Sequence, residues 1–425
     1  MKIKTKRAPL EKVMAMPSGR HRKPLKPLFL LQLVVRVLAI FDLLPTKFTY
    51  ETHGMEKIKR NEPCLILMNH SSFIDLKIAA KIFFPKRYGI VCTSDGFVGK
   101  NLLMRLLGCI PTQKFVRDVS LIWDIDYMLK KKKVSVLMYP EASYSFDGTA
   151  TPLPRKMGVL LKKLNVPVVT VITQGAFTRD PLYNCLQKRK VKVRADVTCL
   201  ATKEELKELS VAELDERLNE AFSFDNFRYQ QENKISVDEP FRADGLNRIL
   251  YKCPHCNVEG QTVGEGITLT CKNCGKVYIL DEFGFLQSED SAFNHIPDWY
   301  NWERQEVRKE LEEGTYRLEK DVVIGILKNT KALYMVGEGK LVHDENGFRL
   351  TGCDGKLYYE QGPLSCYSLY SDYYWYEIGD VICIGDREVS YYCFPKDSSD
   401  VVAKTRLATE ELYKMKKGRK AIVSQ

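Results

Sequence analysis

The chain has 425 residues, a formal net charge of +11 and 44% hydrophobic residues. Its length favours two to four domains, and its apolar content excludes a chain that is disordered throughout. Thirteen cysteines with no recognisable signal peptide before them favour a reducing compartment over a disulfide framework. We expect no nucleic acid among the partners, because the basic runs lack the interleaved aromatic residues of an RNA-binding module.

A basic tail and an amphipathic helix are predicted at the start of the chain. Residues 1–26 contain nine Lys or Arg against one acid, which favours attraction to anionic lipid over a merely solvated tail. The apolar stretch 28–44 carries Gln32, Arg36 and Asp42, and it is shorter than the ~20 residues that a spanning helix needs. We therefore expect it to lie in a membrane interface, with an ordinary core helix as the alternative. The expected location is the cytoplasmic side of a membrane, as a peripheral or monotopic protein.

Between residues 64 and 200, short β-rich runs alternate with helical ones. The predicted strands are 64–68, 88–93, 134–139, 167–173 and 191–200, and the predicted helices are 76–84, 97–107, 121–132 and 156–165. This alternation predicts an α/β layer architecture. A further helix is expected over about 202–222, and a cluster of Asp, Asn and Gln between 225 and 238 marks a domain boundary.

A histidine and an acid follow the first of these strands. Residues 69–75 read Asn-His-Ser-Ser-Phe-Ile-Asp directly after the apolar run 64–68. His70 beside a carboxylate can take a proton from a hydroxyl at neutral pH, and Asp75 can fix its tautomer. The two can meet if His70 lies in the strand-to-helix loop and Asp75 in the first helical turn. The alternative is a loop histidine followed by an acid that stabilises a helix N-terminus.

The pattern Asn-His-x4-Asp resembles the first motif of the glycerolipid acyltransferases, the family that includes lysophosphatidic acid acyltransferase. Three further blocks resemble that family's later motifs and come in its order, at residues 108–114, 139–143 and 166–169. The resemblance covers roughly residues 25–235. It implies an acyltransferase that moves a fatty acyl group from a thioester of CoA or acyl carrier protein to a lysophospholipid.

The resemblance also implies roles for individual residues. His70 would be the base and Asp75 its orienting partner, while the acceptor's own hydroxyl attacks the thioester. Ser143 is not expected to be a nucleophile, because no Gly-x-Ser-x-Gly elbow surrounds it. Asn69 would hold the loop or the oxyanion, and Glu141 would position the acceptor or anchor its loop. The predicted substrate-binding residues are Asn69, Lys114, Arg117, Glu141, Ser143, Arg155 and Lys156.

The third motif departs from the family pattern. Ala142, Ser143 and Tyr144 stand where Gly, Thr and Arg are usual, so one phosphate-binding cation is missing. Lys114 and Arg117 are expected to bind the acceptor's phosphate, with the basic pair at 155–156 as possible replacements for the missing cation. The expected reaction converts 1-acyl-sn-glycerol-3-phosphate to phosphatidic acid. The alternatives are another lysolipid or polar lipid as acceptor, or a catalytically inactive lipid-binding scaffold.

Two Cys-x2-Cys knuckles predict a zinc ribbon in the second half of the chain. Cys253 and Cys256 are followed, after fourteen intervening residues, by Cys271 and Cys274. This spacing is typical of a tetrahedral Zn²⁺ site, and Gly275 permits the left-handed turn after the last cysteine. Four sulfurs leave no open position on the ion, so we expect the zinc to be structural.

The last hundred residues are strand-like from 322 to 394, with Asn-Gly and Asp-Gly hairpin signals, and a helix is expected over about 399–417. This order resembles a pleckstrin-homology-type barrel in topology only. The tyrosine-dense run 367–376 is interpreted as core or as a binding surface. The predicted segments are 1–50 (tail and amphipathic helix), 51–235 (acyltransferase domain), 248–285 (zinc ribbon), 286–318 (linker helix) and 319–420 (β-rich domain with its closing helix).

Overall fold

The computed structural model describes residues 2–19, 21–116, 118–397 and 401–423. The helices are α1 (Leu10–Met14), α2 (Phe29–Leu43), α3 (Asp75–Phe83), α4 (Asn101–Leu106), α5 (Val119–Asp126), α6 (Met157–Leu164), α7 (Ala176–Arg179), α8 (Glu205–Glu208), α9 (Val211–Ala221), α10 (Asn226–Glu232), α11 (Ile296–Glu313) and α12 (Val401–Val423). A π-helical turn, Tyr127–Lys131, continues α5.

The strands belong to three sheets. They are β1 (Thr5–Arg7), β2 (Thr49–His53), β3 (Leu65–Met68), β4 (Tyr88–Thr93), β5 (Cys109–Thr112), β6 (Ser135–Met138), β7 (Val168–Gln174), β8 (Arg194–Ala201), β9 (Thr262–Glu265), β10 (Thr268–Cys271), β11 (Val277–Leu280), β12 (Leu286–Gln287), β13 (Leu318–Leu327), β14 (Leu333–Asp344), β15 (Gly347–Gly352), β16 (Leu357–Gln361), β17 (Tyr370–Trp375), β18 (Gly379–Gly385) and β19 (Ser390–Pro395).

The α/β domain is built on a seven-stranded sheet in the order β2-β8-β7-β3-β6-β4-β5. Every neighbouring pair is parallel except β7 with β8. Strand β3 lies at the centre, where its four apolar residues are buried on both faces. Its carboxyl end therefore delivers residues 69–74 to the edge of the sheet where parallel strands end, as the α/β alternation in the sequence predicts.

Several elements differ from the sequence prediction. Strands β2 and β5 were not expected, and β5 contains most of the second motif. The single helix expected over 202–222 is two helices, because Ser210 caps α9. Its side chain accepts a hydrogen bond from the Glu213 amide while the Glu213 carboxylate accepts one from the Ser210 amide. This capping box starts a new helix in the middle of a run that has helical composition throughout.

The small cysteine-rich module is a four-stranded sheet in the order β12-β11-β10-β9. Helix α11 packs on it through Trp299, whose ring lies 4.8 Å from that of Tyr278. The indole Nε1 donates to the carbonyl of Lys252 at 2.9 Å, and Glu303 accepts from the Lys252 amide at 2.8 Å. The aromatic residues of α11 therefore serve packing against this module.

The C-terminal domain has seven antiparallel strands in the order β16-β15-β14-β13-β19-β18-β17, closed by α12. An eighth strand comes from the N-terminus, because β1 pairs in parallel with β14. Leu10 and Val13 of α1 are buried in the same hydrophobic core as this domain. The start of the predicted basic tail is thus part of the C-terminal fold. The likeness to a pleckstrin-homology-type barrel stays a prediction, since it rests on strand count and the closing helix.

The C-terminal domain lies against the carboxyl edge of the α/β sheet. Phe146 packs against Tyr373 with ring centroids 4.8 Å apart, and the Tyr373 hydroxyl donates to the carbonyl of Arg248 at 2.6 Å. From α12, Arg406 donates to the carbonyl of Tyr144 at 3.1 Å. These contacts place the tyrosine-dense run 367–376 over the loop that carries His70.

Candidate active site

His70 and Asp75 form a hydrogen-bonded pair at the end of β3. His70 Nδ1 lies 3.0 Å from Asp75 Oδ2. The same oxygen accepts from the amides of Ser71 and Ser72 at 2.9 and 3.1 Å. Asp75 is the first residue of α3, so the pair meets as a loop residue and a first-turn residue, which is the geometry required by their spacing. Because Nδ1 faces the acid, Nε2 is the ring nitrogen left for a substrate.

Asn69 and Glu141 hold this loop in place. The Asn69 side chain exchanges hydrogen bonds with Thr173 on β7, accepting from its amide at 2.8 Å and donating to its carbonyl at 3.2 Å. Glu141 accepts from the amide of His70 at 2.9 Å and from that of Thr151 at 2.7 Å. Burial raises the pKa of Glu141 to about 7, and these amides act in the opposite sense. Asn69 and Glu141 are therefore loop anchors.

The loop amides are likewise engaged by carboxylates. The amides of His70, Ser71 and Ser72 donate to Glu141 or Asp75, so they do not point together at an oxyanion. Among the described residues, the cation that exerts an electrostatic effect on the histidine is Lys114. The ammonium of Lys114 is therefore the group in this part of the structure that is suited to stabilise developing negative charge.

Two tyrosine rings enclose the His70 imidazole. The ring centroids of Tyr139 and Tyr144 lie 4.0 and 3.8 Å from that of His70, both in stacked orientation. Burial, together with the positive charge of Lys114, holds the pKa of His70 well below its usual range. The imidazole is therefore neutral at physiological pH and able to accept a proton. Tyr144, the departure in the third motif, contacts the histidine directly.

The histidine opens on a cavity of about 780 Å³ between the α/β domain and the C-terminal domain. His70, Lys114 and Tyr144 line it from the first domain. The C-terminal domain contributes residues 364–367, 370 and 372–377 and, from α12, Tyr413. The tyrosine-dense run is thus a wall of the cavity, and the second domain completes the site.

Of the cations expected to bind phosphate, the described structure brings Lys114 into the cavity. Its ammonium lies 4.2 Å from the Tyr370 ring centroid and 5.7 Å from that of Tyr144. Among the described residues, no carboxylate lies within 4.0 Å of it. Arg155 and Lys156 are exposed and lie outside the cavity wall, and Arg117 lies outside the described residues.

Ser143 is buried but does not line the cavity, and its hydroxyl has no hydrogen-bond partner within the described chain. Sequence reasoning assigned it to substrate binding and missed two acids that do line the cavity, Asp95 and Asp372. Asp372 lies within the tyrosine-dense run, which was the available signal. Asp95 is a single acid outside every recognised motif, so the sequence contained no signal for its position in the cavity.

The comparisons with known proteins agree with this geometry. Residues 49–174 match the protein-family model named Acyltransferase. The human 1-acyl-sn-glycerol-3-phosphate acyltransferase beta is 22% identical over 126 residues, covering 29% of this chain and 45% of the relative. A chloroplastic 1-acyl-sn-glycerol-3-phosphate acyltransferase, BAT2, from Brassica napus is 26% identical over 133 residues, covering 29% of this chain and 37% of the relative. These matches support the glycerolipid acyltransferase family for this part of the chain.

The chain spans less than half the length of these two curated relatives. Among solved structures, the 1-acyl-sn-glycerophosphate (LPA) acyltransferase PlsC from Thermotoga maritima is similar with a TM-score of 0.33 and 16% identity. That match covers 44% of this chain and 78% of the bacterial one. The acyltransferase segment includes His70, Asp75, Lys114 and Glu141.

The four cysteines of the predicted zinc ribbon converge. Their sulfurs all lie within 4.8 Å of one another, with Cys253 and Cys274 at 3.8 Å and Cys256 and Cys271 at 3.7 Å. A tetrahedral zinc with Zn–S bonds of about 2.3 Å needs sulfurs about 3.8 Å apart. Gly275 has φ of +75°, the left-handed turn that the sequence predicts after the second knuckle. The donor set therefore fits a Zn²⁺ ion held by four thiolates.

Helix α2 turns Gln32 and Asp42 toward the protein and exposes several of its apolar side chains. Gln32 donates to the carbonyl of Tyr88 at 2.7 Å, and Asp42 forms an ion pair with Lys77 of α3. Leu38 and Phe41 are 59% and 71% exposed. Within the described residues, one helical stretch, Phe29–Thr46, is long and apolar enough to cross a membrane, and 17% of it is buried.

Proposed function

We propose that this protein transfers a fatty acyl group from an acyl thioester to the free hydroxyl of a lysophospholipid. The observation that carries the proposal is the His70–Asp75 pair, in which Nδ1 is held by the acid and the neutral imidazole belongs to a residue that lines the cavity. Acceptance of a proton by a positioned imidazole is the step that a hydroxyl nucleophile needs. The matches to acyltransferases over residues 49–174 supply the reaction class.

The chemistry would proceed in two steps. His70 Nε2 removes the proton from the acceptor hydroxyl while the hydroxyl oxygen attacks the thioester carbonyl. Asp75 stabilises the imidazolium, and the Lys114 ammonium stabilises the oxyanion or the acceptor's phosphate. When the tetrahedral intermediate collapses, the carbon–sulfur bond breaks and the imidazolium returns its proton to the thiolate. An ester and a free thiol leave, and the enzyme carries no covalent intermediate.

The acceptor that the motifs favour is 1-acyl-sn-glycerol-3-phosphate, and the donor is acyl-CoA or acyl-acyl carrier protein. Lys114 supports a phosphate-bearing acceptor, because it is a half-buried cation of the cavity wall without an ion-pair partner among the described residues. The apolar wall of the cavity suits an acyl chain. The other lysolipids of the sequence analysis remain in the same class and are distinguished by assay.

Attachment to a membrane surface would supply the lipid. Exposed apolar residues of α2 continue into the cavity mouth, where Phe29 stacks on Phe84 with ring centroids 5.9 Å apart. Phe73 and Leu76 line the cavity and are half-exposed on the same side. An apolar helix face beside an opening that is itself apolar is typical of interfacial lipid enzymes. Four of the thirteen cysteines converge on a site that needs reduced thiolates, which supports a reducing, cytoplasmic side of that membrane.

The test is release of free thiol from acyl-CoA in the presence of a lysophospholipid. We expect His70→Ala to lose acyl transfer by roughly 10² to 10⁴, the usual contribution of a positioned base. A matched control is His53→Ala, because His53 also lies near an acid, Asp196 at 3.7 Å, but on the surface and outside the cavity. Lysolipid-dependent release that is equal in both variants would refute the proposal.

A second candidate is a lipid-binding scaffold without turnover. Its support is Tyr144, which replaces the usual arginine and stacks on the base, so that the imidazole is tightly enclosed. In that case the wild-type protein would bind lysolipid with no lysolipid-dependent thiol release from any donor. The same assay therefore separates the two functions.

A further inference from the structure

Two buried acids lie at the end of the cavity beside Lys114. Asp372 is 7% exposed, and its Oδ1 has no hydrogen-bond partner within the described residues. Asp95 is 1% exposed, and its Oδ2 accepts hydrogen bonds from the hydroxyls of Tyr370 and Tyr392 at 2.5 and 3.3 Å. Like Asp372, it has an Oδ1 atom without a hydrogen-bond partner among the described residues. Both acids line the cavity.

These acids are not neutralised by direct contact with the lysine. Lys114 and Asp372 influence each other electrostatically, yet no ion pair joins them. Burial raises the pKa of Asp372 to about 6, so the carboxyl is largely ionised at pH 7.5. Asp75 is occupied by His70, and the remaining charged lining residues, Lys86 and Glu377, are exposed. Among the lining residues that the structure describes, Lys114 therefore lies near two buried acids without an ion pair to either, while Arg406 of α12 acts electrostatically on both Lys114 and Asp372 from outside the cavity wall.

Aromatic rings accompany these charges. Tyr370, Tyr374 and Tyr376 line the same part of the cavity, and Tyr370 is fixed by Asp95 and by the indole of Trp375, which donates to its hydroxyl at 2.9 Å. Tyrosine faces and carboxylates together attract ammonium groups, quaternary ones included. A phosphate monoester, with up to two negative charges, would bring its charge next to two acids and one lysine. A head group that also has a positive charge avoids this repulsion.

We propose, on the basis of the function proposed above, that the acceptor is a zwitterionic lysophospholipid. Its phosphate binds Lys114, and its ammonium group lies against Asp372, Asp95 and the rings of Tyr374 and Tyr376, since the Tyr370 ring is already covered by Lys114. The C-terminal domain then decides which lysolipid is acylated, since Asp372 and both of these tyrosines belong to it. The head group is matched because no ion pair joins Lys114 to the buried acids among the described residues, so that each can take one charge of the ligand.

The test compares four 1-acyl lysolipids with the same chain, presented in detergent micelles to the full-length protein with palmitoyl-CoA. Their head groups are phosphate, phosphoglycerol, phosphoethanolamine and phosphocholine. Phosphoglycerol is the critical comparison, because it is a phosphodiester without an ammonium. We expect kcat/KM for phosphoethanolamine or phosphocholine to exceed that for phosphoglycerol by about tenfold or more, as expected for a charge-assisted contact. Whichever of these two acceptors has the higher kcat/KM shows whether the site prefers a primary or a quaternary ammonium group.

The variant Asp372→Asn should reduce this ratio by about tenfold or more. Asp380→Asn is the matched control, because Asp380 is equally buried on the neighbouring strand but does not line the cavity. It should leave the ratio unchanged. If Asp372→Asn does not fold, the ratio of kcat/KM between the zwitterionic and phosphoglycerol acceptors in the wild-type protein tests the inference by itself. Turnover that is equal or faster with phosphate or phosphoglycerol, or a ratio that survives Asp372→Asn, overturns this inference. No turnover with any of the four acceptors instead refutes the proposed function.

Discussion

At the residue scale, the candidate base depends on a pair that is local in sequence. His70 and Asp75 are five residues apart, and a strand end followed by a helix start is enough to bring Nδ1 and Oδ2 to 3.0 Å. The spacing alone left a loop histidine with a helix-stabilising acid as the alternative, and the resemblance to the acyltransferase motif made the pair predictable. The roles of Asn69 and Glu141 were less so, because their partners Thr173 and Thr151 lie far away or across a loop. The motif positions indicated that Asn69 and Glu141 belong to the site, and the hydrogen bonds indicate that they hold the loop that carries His70.

The variant Asp75→Asn tests how the acid acts. Nδ1 and the loop amides share one oxygen of Asp75, so an asparagine either keeps an uncharged oxygen there or turns its NH₂ group toward Nδ1 and favours the wrong imidazole tautomer. We expect kcat to fall by roughly 10² to 10⁴ while the fold is kept. Steady-state kinetics with circular dichroism as the folding check are sufficient. A kcat within threefold of wild type would show that Asp75 only holds the loop through the amides of Ser71 and Ser72.

Lys114 is the residue on which acceptor recognition depends in this account. Lys114→Ala should lower kcat/KM for the acceptor by roughly tenfold or more, with a smaller effect on the donor, because a charge-assisted contact is worth ~1.5–3 kcal/mol. Lys156→Ala is the control, since Lys156 is exposed and outside the cavity. Equal acceptor kinetics in both variants would place phosphate recognition elsewhere.

At the scale of elements, α2 has an orientation that composition alone could not define. Gln32 and Arg36 suggest a polar face toward water, but Gln32 bonds to Tyr88 and Asp42 to Lys77, so the outward face is apolar. The N-terminal strand β1 was equally inaccessible to prediction, since three residues rich in Lys and Arg carry no strand pattern. The strand forms because it pairs with β14, which lies more than 300 residues away in the sequence.

Membrane attachment is best tested without deleting the N-terminus, because β1 and α1 belong to the C-terminal fold. We expect Leu38→Glu with Phe41→Glu to release the protein from anionic liposomes, since both residues lie on the exposed face of α2. Val159→Glu on α6 is the control, with 49% exposure away from that face. Vesicle co-sedimentation is the measurement. Attachment of the double variant that resists carbonate extraction would instead indicate a spanning helix.

The cysteine-rich module was predictable because its spacing is itself a local constraint. We expect about one zinc per chain, held by Cys253, Cys256, Cys271 and Cys274. Cys271→Ser should increase hydrogen exchange over residues 250–285, because metal binding supplies much of the folding free energy of so small a module. The loop that carries His70 should keep its protection. If chelation instead stops turnover at once in a protein that is still folded, the metal is catalytic.

At the scale of the whole molecule, the main feature that sequence reasoning missed is the composite cavity. The α/β alternation, the ribbon and the β-rich end could each be read from local patterns. Their packing could not, because Tyr370 and Asp95 are 275 residues apart and no motif links them. A domain that looked like an addition to the chain thus forms one wall of the site. The reaction class follows from the first domain, and the acceptor preference depends on both.

The most direct test of the account is formation of the acylated product. Purified protein is incubated with acyl-CoA labelled with ¹³C in its acyl chain and a 1-acyl lysophospholipid, and the lipids are analysed by mass spectrometry. We predict a diacyl product that carries the label on the formerly free hydroxyl, with free CoA in equal amount. The product should be lost with His70→Ala and retained with His53→Ala. Absence of labelled diacyl lipid with every acceptor tested, or its undiminished formation by His70→Ala, would contradict the account.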